Sequence, residues 1–158
     1  MRRMSQAQCI ILSGLLGCVS ATAATPLSLN DFGGYWTGIG QVTLTNGNVE
    51  RLKCVATYKV EGEQLRQNLR CASPGQTVNS SAELRIKAGD VTGTWEEKTY
   101  AVVGAVTGRL TADGFLLAIT GPAFSATMSL TGSACKQAIS IVPQGLEVTQ
   151  IGIGLGKC

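Results

Sequence analysis

Histidine is missing altogether from the 158 residues. Its absence removes the Ser–His–Asp triad, the imidazole general base at neutral pH and every imidazole metal site. Charge is scarce as well, at 15% of residues against about 25% in an average soluble protein. Aromatics make up only 5%. There is no Gly-x-Ser-x-Gly elbow, no phosphate-binding glycine loop and no Cys-x-x-Cys pair. An enzyme is therefore not expected, nor a cofactor, nor a metal. Glycine is plentiful, with twenty residues, and 44% of the chain is hydrophobic. The length suits one globular domain with many turns and small side chains.

The first twenty-odd residues read as an export signal. Arg2 and Arg3 precede an apolar stretch from Cys9 to Val19, and Ala21-Thr22-Ala23 supplies small residues for cleavage before Ala24. The apolar run is too short to span a bilayer of about 30 Å, so no transmembrane span is expected. Leu15-Leu16-Gly17-Cys18 also resembles the lipobox of bacterial lipoproteins, which would make Cys18 a lipid anchor. Both outcomes place the protein in the periplasm, outside the cell or on an envelope membrane. Two of the thirteen basic residues leave with residues 1–23 while all ten acidic residues stay, so the remaining chain is nearly neutral at +1. A neutral chain without a basic run has no electrostatic footprint for nucleic acid.

Beyond the signal, four cysteines remain: Cys54, Cys71, Cys135 and Cys158. An even number in an exported chain argues for disulfides. Gly62-Glu63 is a natural hairpin tip, and about that centre positions whose numbers sum to 125 face each other. Cys54 and Cys71 satisfy this condition. Cys135 and Cys158 flank the last expected hairpin about four residues out of ideal register. The expected pairs are Cys54–Cys71 and Cys135–Cys158.

Periodicity two runs through almost the whole of the chain from Tyr35 onward. Leu52, Cys54, Ala56, Tyr58 and Val60 alternate with Arg51, Lys53, Val55, Thr57 and Lys59, the pattern of a strand with one buried face. Leu65, Leu69 and Cys71 continue it after the turn, with Gln67 as a polar residue on the apolar side. Later strands carry Ala82-Leu84-Ile86, Val91-Gly93-Trp95, Val102-Gly104-Val106, Phe115-Leu117-Ile119 and Ala126-Met128-Leu130. The last two are expected from Gln137 to Val142 and from Leu146 to Leu155, turning at Pro143-Gln144-Gly145. About ten short strands joined by short links imply an antiparallel meander. Such a chain buries its apolar face by closing into an up-and-down barrel of 8–10 strands, or by packing as a β-sandwich. Residues 24–32 read as a loose leader before the barrel domain at 33–158.

Gly34-Tyr35-Trp36 resembles the G-x-W of lipocalin-type barrels, in which the tryptophan plugs one end; the resemblance implies a lipocalin-like fold. Gly33–Cys158 also resembles a family of small exported bacterial proteins with no assigned activity. That likeness rests on Lys53-Cys54-Val55-Ala56-Thr57-Tyr58, Asn68-Leu69-Arg70-Cys71-Ala72-Ser73, Gly93-Thr94-Trp95-Glu96-Glu97 and Gly154-Leu155-Gly156-Lys157-Cys158. The early Trp and the Cys…Leu-Arg-Cys hairpin resemble periplasmic barrels that inhibit metalloproteases through an N-terminal arm, which here would be Ala24 to Asp31.

Trp36, Tyr58, Trp95 and Phe115 fall on expected inner faces, with Gln67 and Glu97 as polar neighbours. In a hollow barrel these six residues would line a cavity for a small apolar or amphipathic molecule; in a filled one they are core. Glu96-Glu97 is the one adjacent acidic pair, and it reads as a solvated strand end beside Lys98. The expected partner is a small molecule in the barrel or, alternatively, an envelope protein.

Overall fold

The computed structural model describes residues 27–158. The expected signal peptide at 1–23, including Cys18 with its lipidation reading, lies outside the described residues. Ten antiparallel strands follow one another in a single meander: β1 (Gly34–Leu44), β2 (Val49–Glu61), β3 (Gln64–Ala72), β4 (Thr77–Lys87), β5 (Asp90–Glu97), β6 (Val102–Leu110), β7 (Gly114–Thr120), β8 (Ser125–Gly132), β9 (Lys136–Gln144) and β10 (Val148–Gly156). Each strand pairs with the next, and β10 returns to pair with β1 in a closed barrel. An even number of strands lets that last pairing be antiparallel like the rest. The sandwich alternative is excluded, because one sheet closes on itself.

Inner faces carry Leu52, Cys54, Ala56 and Tyr58 on β2, then Leu65 and Leu69 on β3, Leu84 and Ile86 on β4, and onward to Ile153 and Leu155 on β10, all buried. Bending a meander into a closed wall brings neighbouring backbones very close at certain inner positions. A Cβ at Gly38 would collide with the Gly154 carbonyl, and one at Gly93 with the Glu83 carbonyl. Glycine at those positions is what lets the sheet curl.

The β2–β3 hairpin has the expected register, with Cys54 opposite Cys71 and Tyr58 opposite Gln67. Both disulfides form as expected, Cys54–Cys71 buried inside the barrel and Cys135–Cys158 at its surface. The last hairpin differs from expectation. Pro143 does not turn the chain but lies within β9, opposite Ala126, near the strand end, where a missing N–H costs least. The turn comes at residues 145–147, where Gly145 takes a positive φ of 82°. That later turn pairs Leu155 with Gln137 and brings Cys158 beside Cys135, removing the apparent mismatch in register.

The expected loose leader is also corrected over its final residues. Leu29–Phe32 form a 3-10 helix with a capping box at its start, in which Asp31 accepts the Ser28 N–H at 2.7 Å and Ser28 Oγ accepts the Asn30 N–H at 3.3 Å. Phe32 is buried in the core.

Two stability outcomes follow from these features. Ala88, with φ of 51° beside Gly89 at 86°, occupies a turn in which both central residues have positive φ, a conformation that favours Asn-Gly. Ala88→Asn should raise stability by about 0.5–1 kcal/mol in urea unfolding. Mild reductant followed by alkylation and mass mapping should open the exposed Cys135–Cys158 bond well before the buried Cys54–Cys71 bond.

Candidate functional site

One end of the barrel is sealed. Trp36, on β1, donates its indole N–H to the Phe32 carbonyl at 2.8 Å, which ties the 3-10 helix across the opening. Phe32 packs on Phe115 with ring centroids 5.0 Å apart and on Tyr58 at 6.4 Å. Lys157 closes the arrangement from outside. Its ammonium donates to the carbonyls of Asp31 at 2.7 Å and Gly33 at 2.9 Å, and it sits 4.7 Å from the Trp36 ring centre, a cation–π contact. The Leu27 N–H reaches the Ala112 carbonyl at 3.4 Å, so the described part of the N-terminal segment lies along the barrel.

Above this seal runs a buried polar chain. Gln67 Nε2 donates to the Tyr58 hydroxyl at 2.8 Å, and that hydroxyl donates to Gln137 Oε1 at 3.0 Å. Gln137 is only 4% exposed, and its Nε2 has no acceptor among the described residues. Burial pushes the Tyr58 hydroxyl far above the usual tyrosine range, with the Gln67 hydrogen bond opposing part of the effect. The phenol is neutral at physiological pH and serves as a donor.

Two small cavities occupy the barrel interior. The one on the floor side, about 20 Å³, is lined by Tyr58, Leu65, Phe115, Ile119 and their neighbours. The other, about 50 Å³, lies toward the opposite end among Val42, Leu52, Leu69, Val78, Ser80, Ile141 and Ile151. Gln67, Trp95 and Met128 line both and so form the partition between them. At this opposite end Val78, Trp95, Ile141 and Ile151 pack against the core yet are only partly buried. The barrel is thus a cup with a sealed floor and an apolar mouth. Its free space is far below the roughly 300–1,000 Å³ of a typical ligand pocket, so side chains fill most of the interior.

The six sequence-expected residues separate into three groups. Tyr58, Gln67, Trp95 and Phe115 line the cavities, Gln67 through the network that explains its polar character on an apolar face. Trp36 lines neither cavity and belongs to the floor seal, the position its G-x-W setting implied. Glu97 is buried but lines neither cavity, and its carboxylate accepts the Asn79 N–H at 2.8 Å and the Tyr100 N–H at 2.7 Å. That carboxylate braces a rim loop. Four further residues were not expected at the site from the sequence: Gln137, Ser80, Met128 and Lys157. Gln137 was legible by alternation with Ile139, whereas the role of Lys157 depends on a contact some 120 residues away and left no local sign.

No Lys or Arg is buried among the described residues. Among the described residues, too, no helix is long and apolar enough to cross a membrane.

No family model matches the chain, and no curated protein matches it. Solved structures do. The S-type phycobiliprotein lyase CPES from Guillardia theta superposes with a TM-score of 0.63 at 9% identity, covering 82% of this chain and 89% of that one. Rv2717c from M. tuberculosis superposes with a TM-score of 0.64 at 12% identity, covering 82% and 94%. At such identities the likeness is one of fold, and it agrees with a lipocalin-like barrel.

The buried phenol gives the fold a dependence on alkaline pH. Unfolded, Tyr58 ionises near pH 10; folded, it resists ionisation to higher pH. Its contribution is therefore whole below about pH 10 and declines as pH rises beyond that value. Tyr58→Phe should lose about 1–3 kcal/mol at pH 7, because two buried amides lose a partner. Its stability should also fall less steeply than wild type above pH 10, as read by urea unfolding across that range.

Proposed function

We propose that this protein is an exported, non-catalytic binding protein that takes a slender, uncharged apolar or amphipathic molecule through the open end of its barrel. The observation that carries this reading is the cup itself: a floor sealed by Phe32, Trp36 and Lys157, and a mouth where inward-facing apolar side chains stay partly exposed above a cavity of about 50 Å³. The space is too small for a bulky ligand. A narrow chain gains room only by displacing the partition, where Met128 is unbranched and adaptable and Trp95 is only partly buried. Joining the two cavities in this way would bring the ligand to the Gln67–Tyr58 pair.

The chemistry of the wall favours a neutral ligand. With no cation buried among the described residues, a carboxylate brought inside would lose its hydration without a counter-charge, while Gln67 and Gln137 offer amide groups to an alcohol, ester or ether. A binding role is preferred to a catalytic one because the buried polar side chains among the described residues are two amides, two hydroxyls and one carboxylate whose oxygens already accept backbone N–H groups. One of the similar barrels bears the name of a lyase, so a barrel of this shape is compatible with chemistry on a bound molecule.

Residues 1–23 are read as the export signal, with Cys18 as the alternative lipid anchor, and the two disulfides suit an oxidising compartment. The resemblance to small exported bacterial proteins agrees with that placement in the periplasm or beyond. The alternative is an envelope protein-interaction module. The protease-inhibitor form of it needs a free arm, and Leu27–Phe32 lie against the barrel.

Trp95 provides the assay. Titration with 1-decanol or 1-monodecanoylglycerol should shift its fluorescence, and decanoate should bind at least about 10-fold more weakly. Gln67→Leu should weaken the glycerol ester by roughly 2- to 10-fold while leaving decane binding unchanged. No response to any of these probes, with native mass spectra showing only the bare protein, would remove the reading.

A further inference from the structure

The charged residues of the barrel lie almost entirely on one side. β2 carries five, β3 two, and β4 and β5 three each. The adjoining strands β7, β8, β10 and β1 carry none, and β9 carries only Lys136 at its first position. These five strands are contiguous in the order β7-β8-β9-β10-β1. Half of the barrel wall therefore carries a single charge, Lys136, at one end of its outer surface, and no acidic group.

This wall has relief. Its middle is a trough in which Gly154 faces Ala138 and Gly152 faces Ser140, with Ser129 beyond. A Cβ at Gly152 or Gly154 would meet nothing within 4 Å, so open space stands where side chains would otherwise rise. A shallow depression runs over Gly154, Gly156 and Ala138, with Ile39 at one side and Lys136 at one end. Ridges bound it. On β1, Ile39 lies directly opposite Gly154 and is 47% exposed, with Tyr35 at 60%; on β7, Leu116 lies opposite Ser129 at 57%.

We propose that a second copy of this chain docks on this wall, the same face meeting itself about a two-fold axis. The knob and the hole are neighbours, one strand spacing of about 4.8 Å apart. A two-fold operation that seats Ile39 of one copy in the glycine trough of the other also seats the second Ile39 in the first trough, the reciprocal contact of an isologous interface. Charge selects the same face in the partner. The opposite side of the barrel would bring Arg51, Lys53, Arg70 and Arg85 against a wall with no acidic group, desolvating them without compensation. Five strands span roughly 24 Å around the barrel by 30 Å along it, on the order of 700 Å² of wall, so an interface of the standard size of about 800 Å² per partner would engage all of it. The trough flattens the convex wall and lets two copies approach.

Sedimentation equilibrium of the disulfide-bonded protein as purified from cells tests the proposal. Wild type should be dimeric at about 100 μM. Gly154→Lys adds its side chain in open space at a backbone conformation any residue adopts, so the barrel should persist, as read by near-UV circular dichroism. Its dimer should dissociate at least about 100-fold more readily, because each added lysine is buried beside Lys136 in a contact with no acidic group. Thr94→Lys, on the charged side, should dimerise as wild type does. A wild type that is monomeric at every concentration would overturn the proposal, as would a dimer indifferent to Gly154→Lys. Monomeric wild type that floats with phosphatidylcholine vesicles would overturn it too, assigning the wall to lipid.

Discussion

The pairing of β1 with β10 is the contact on which the remaining structure depends. Every other strand pairing joins neighbours in sequence and is closed by a short turn. This one joins residues more than a hundred positions apart, Thr37 with Gly156 and Val42 with Ile151. Without it the ten strands would form an open sheet, with an apolar face in water and two free edges. The interactions at the sealed floor concentrate on that junction. Trp36 and Phe32 come from the β1 side, Lys157 and Cys158 from the β10 side, and the Cys135–Cys158 bond fastens the end of β10 to the start of β9.

Inside and outside the barrel, the same alternation gives two different surfaces. Inner positions collect the aliphatic and aromatic groups, and the two buried amides of Gln67 and Gln137 are held by one tyrosine hydroxyl between them. Outer positions divide by location around the barrel, charged over β2–β5 and nearly uncharged over β7–β1, where Lys136 stands alone. Hydrophobic burial closes the barrel without reference to the outer face. That face is consequently free to be specified for contacts of its own, and its unequal division is information that folding did not require.

How much of this was legible in the sequence depends on how local each cause is. Strand number, the antiparallel meander and the Cys54–Cys71 pairing follow from period-two alternation and a hairpin centred on Gly62, and the structure has them. The turn before β10 was misplaced because proline and glycine fell together, and proline was read as part of the turn instead of the strand end. Leu29–Phe32 looked like a leader because four residues carry no periodicity, although Ser28 and Asp31 already had the spacing of a capping box. Glu97 could be placed on the inner face by alternation. Its partners could not, since the Asn79 N–H comes from the neighbouring strand. Whether the interior is hollow was not readable either, because filling depends on how side chains from opposite walls meet.

The floor seal also has a bearing on when the molecule becomes a barrel. Lys157 and Cys158 are the last of the described residues to be synthesised, and Phe32 and Trp36 are among the first. The meander can zip up hairpin by hairpin as the chain appears, since those contacts are local and fast to form. The circle cannot close until the final strand arrives and the lysine reaches the carbonyls of Asp31 and Gly33. Until then the growing sheet exposes its greasy side and an unpaired β1 edge, the form most prone to mispairing. The described strands therefore reach their protected state in a single late step, the docking of β10 on β1, with Lys157 locking the floor.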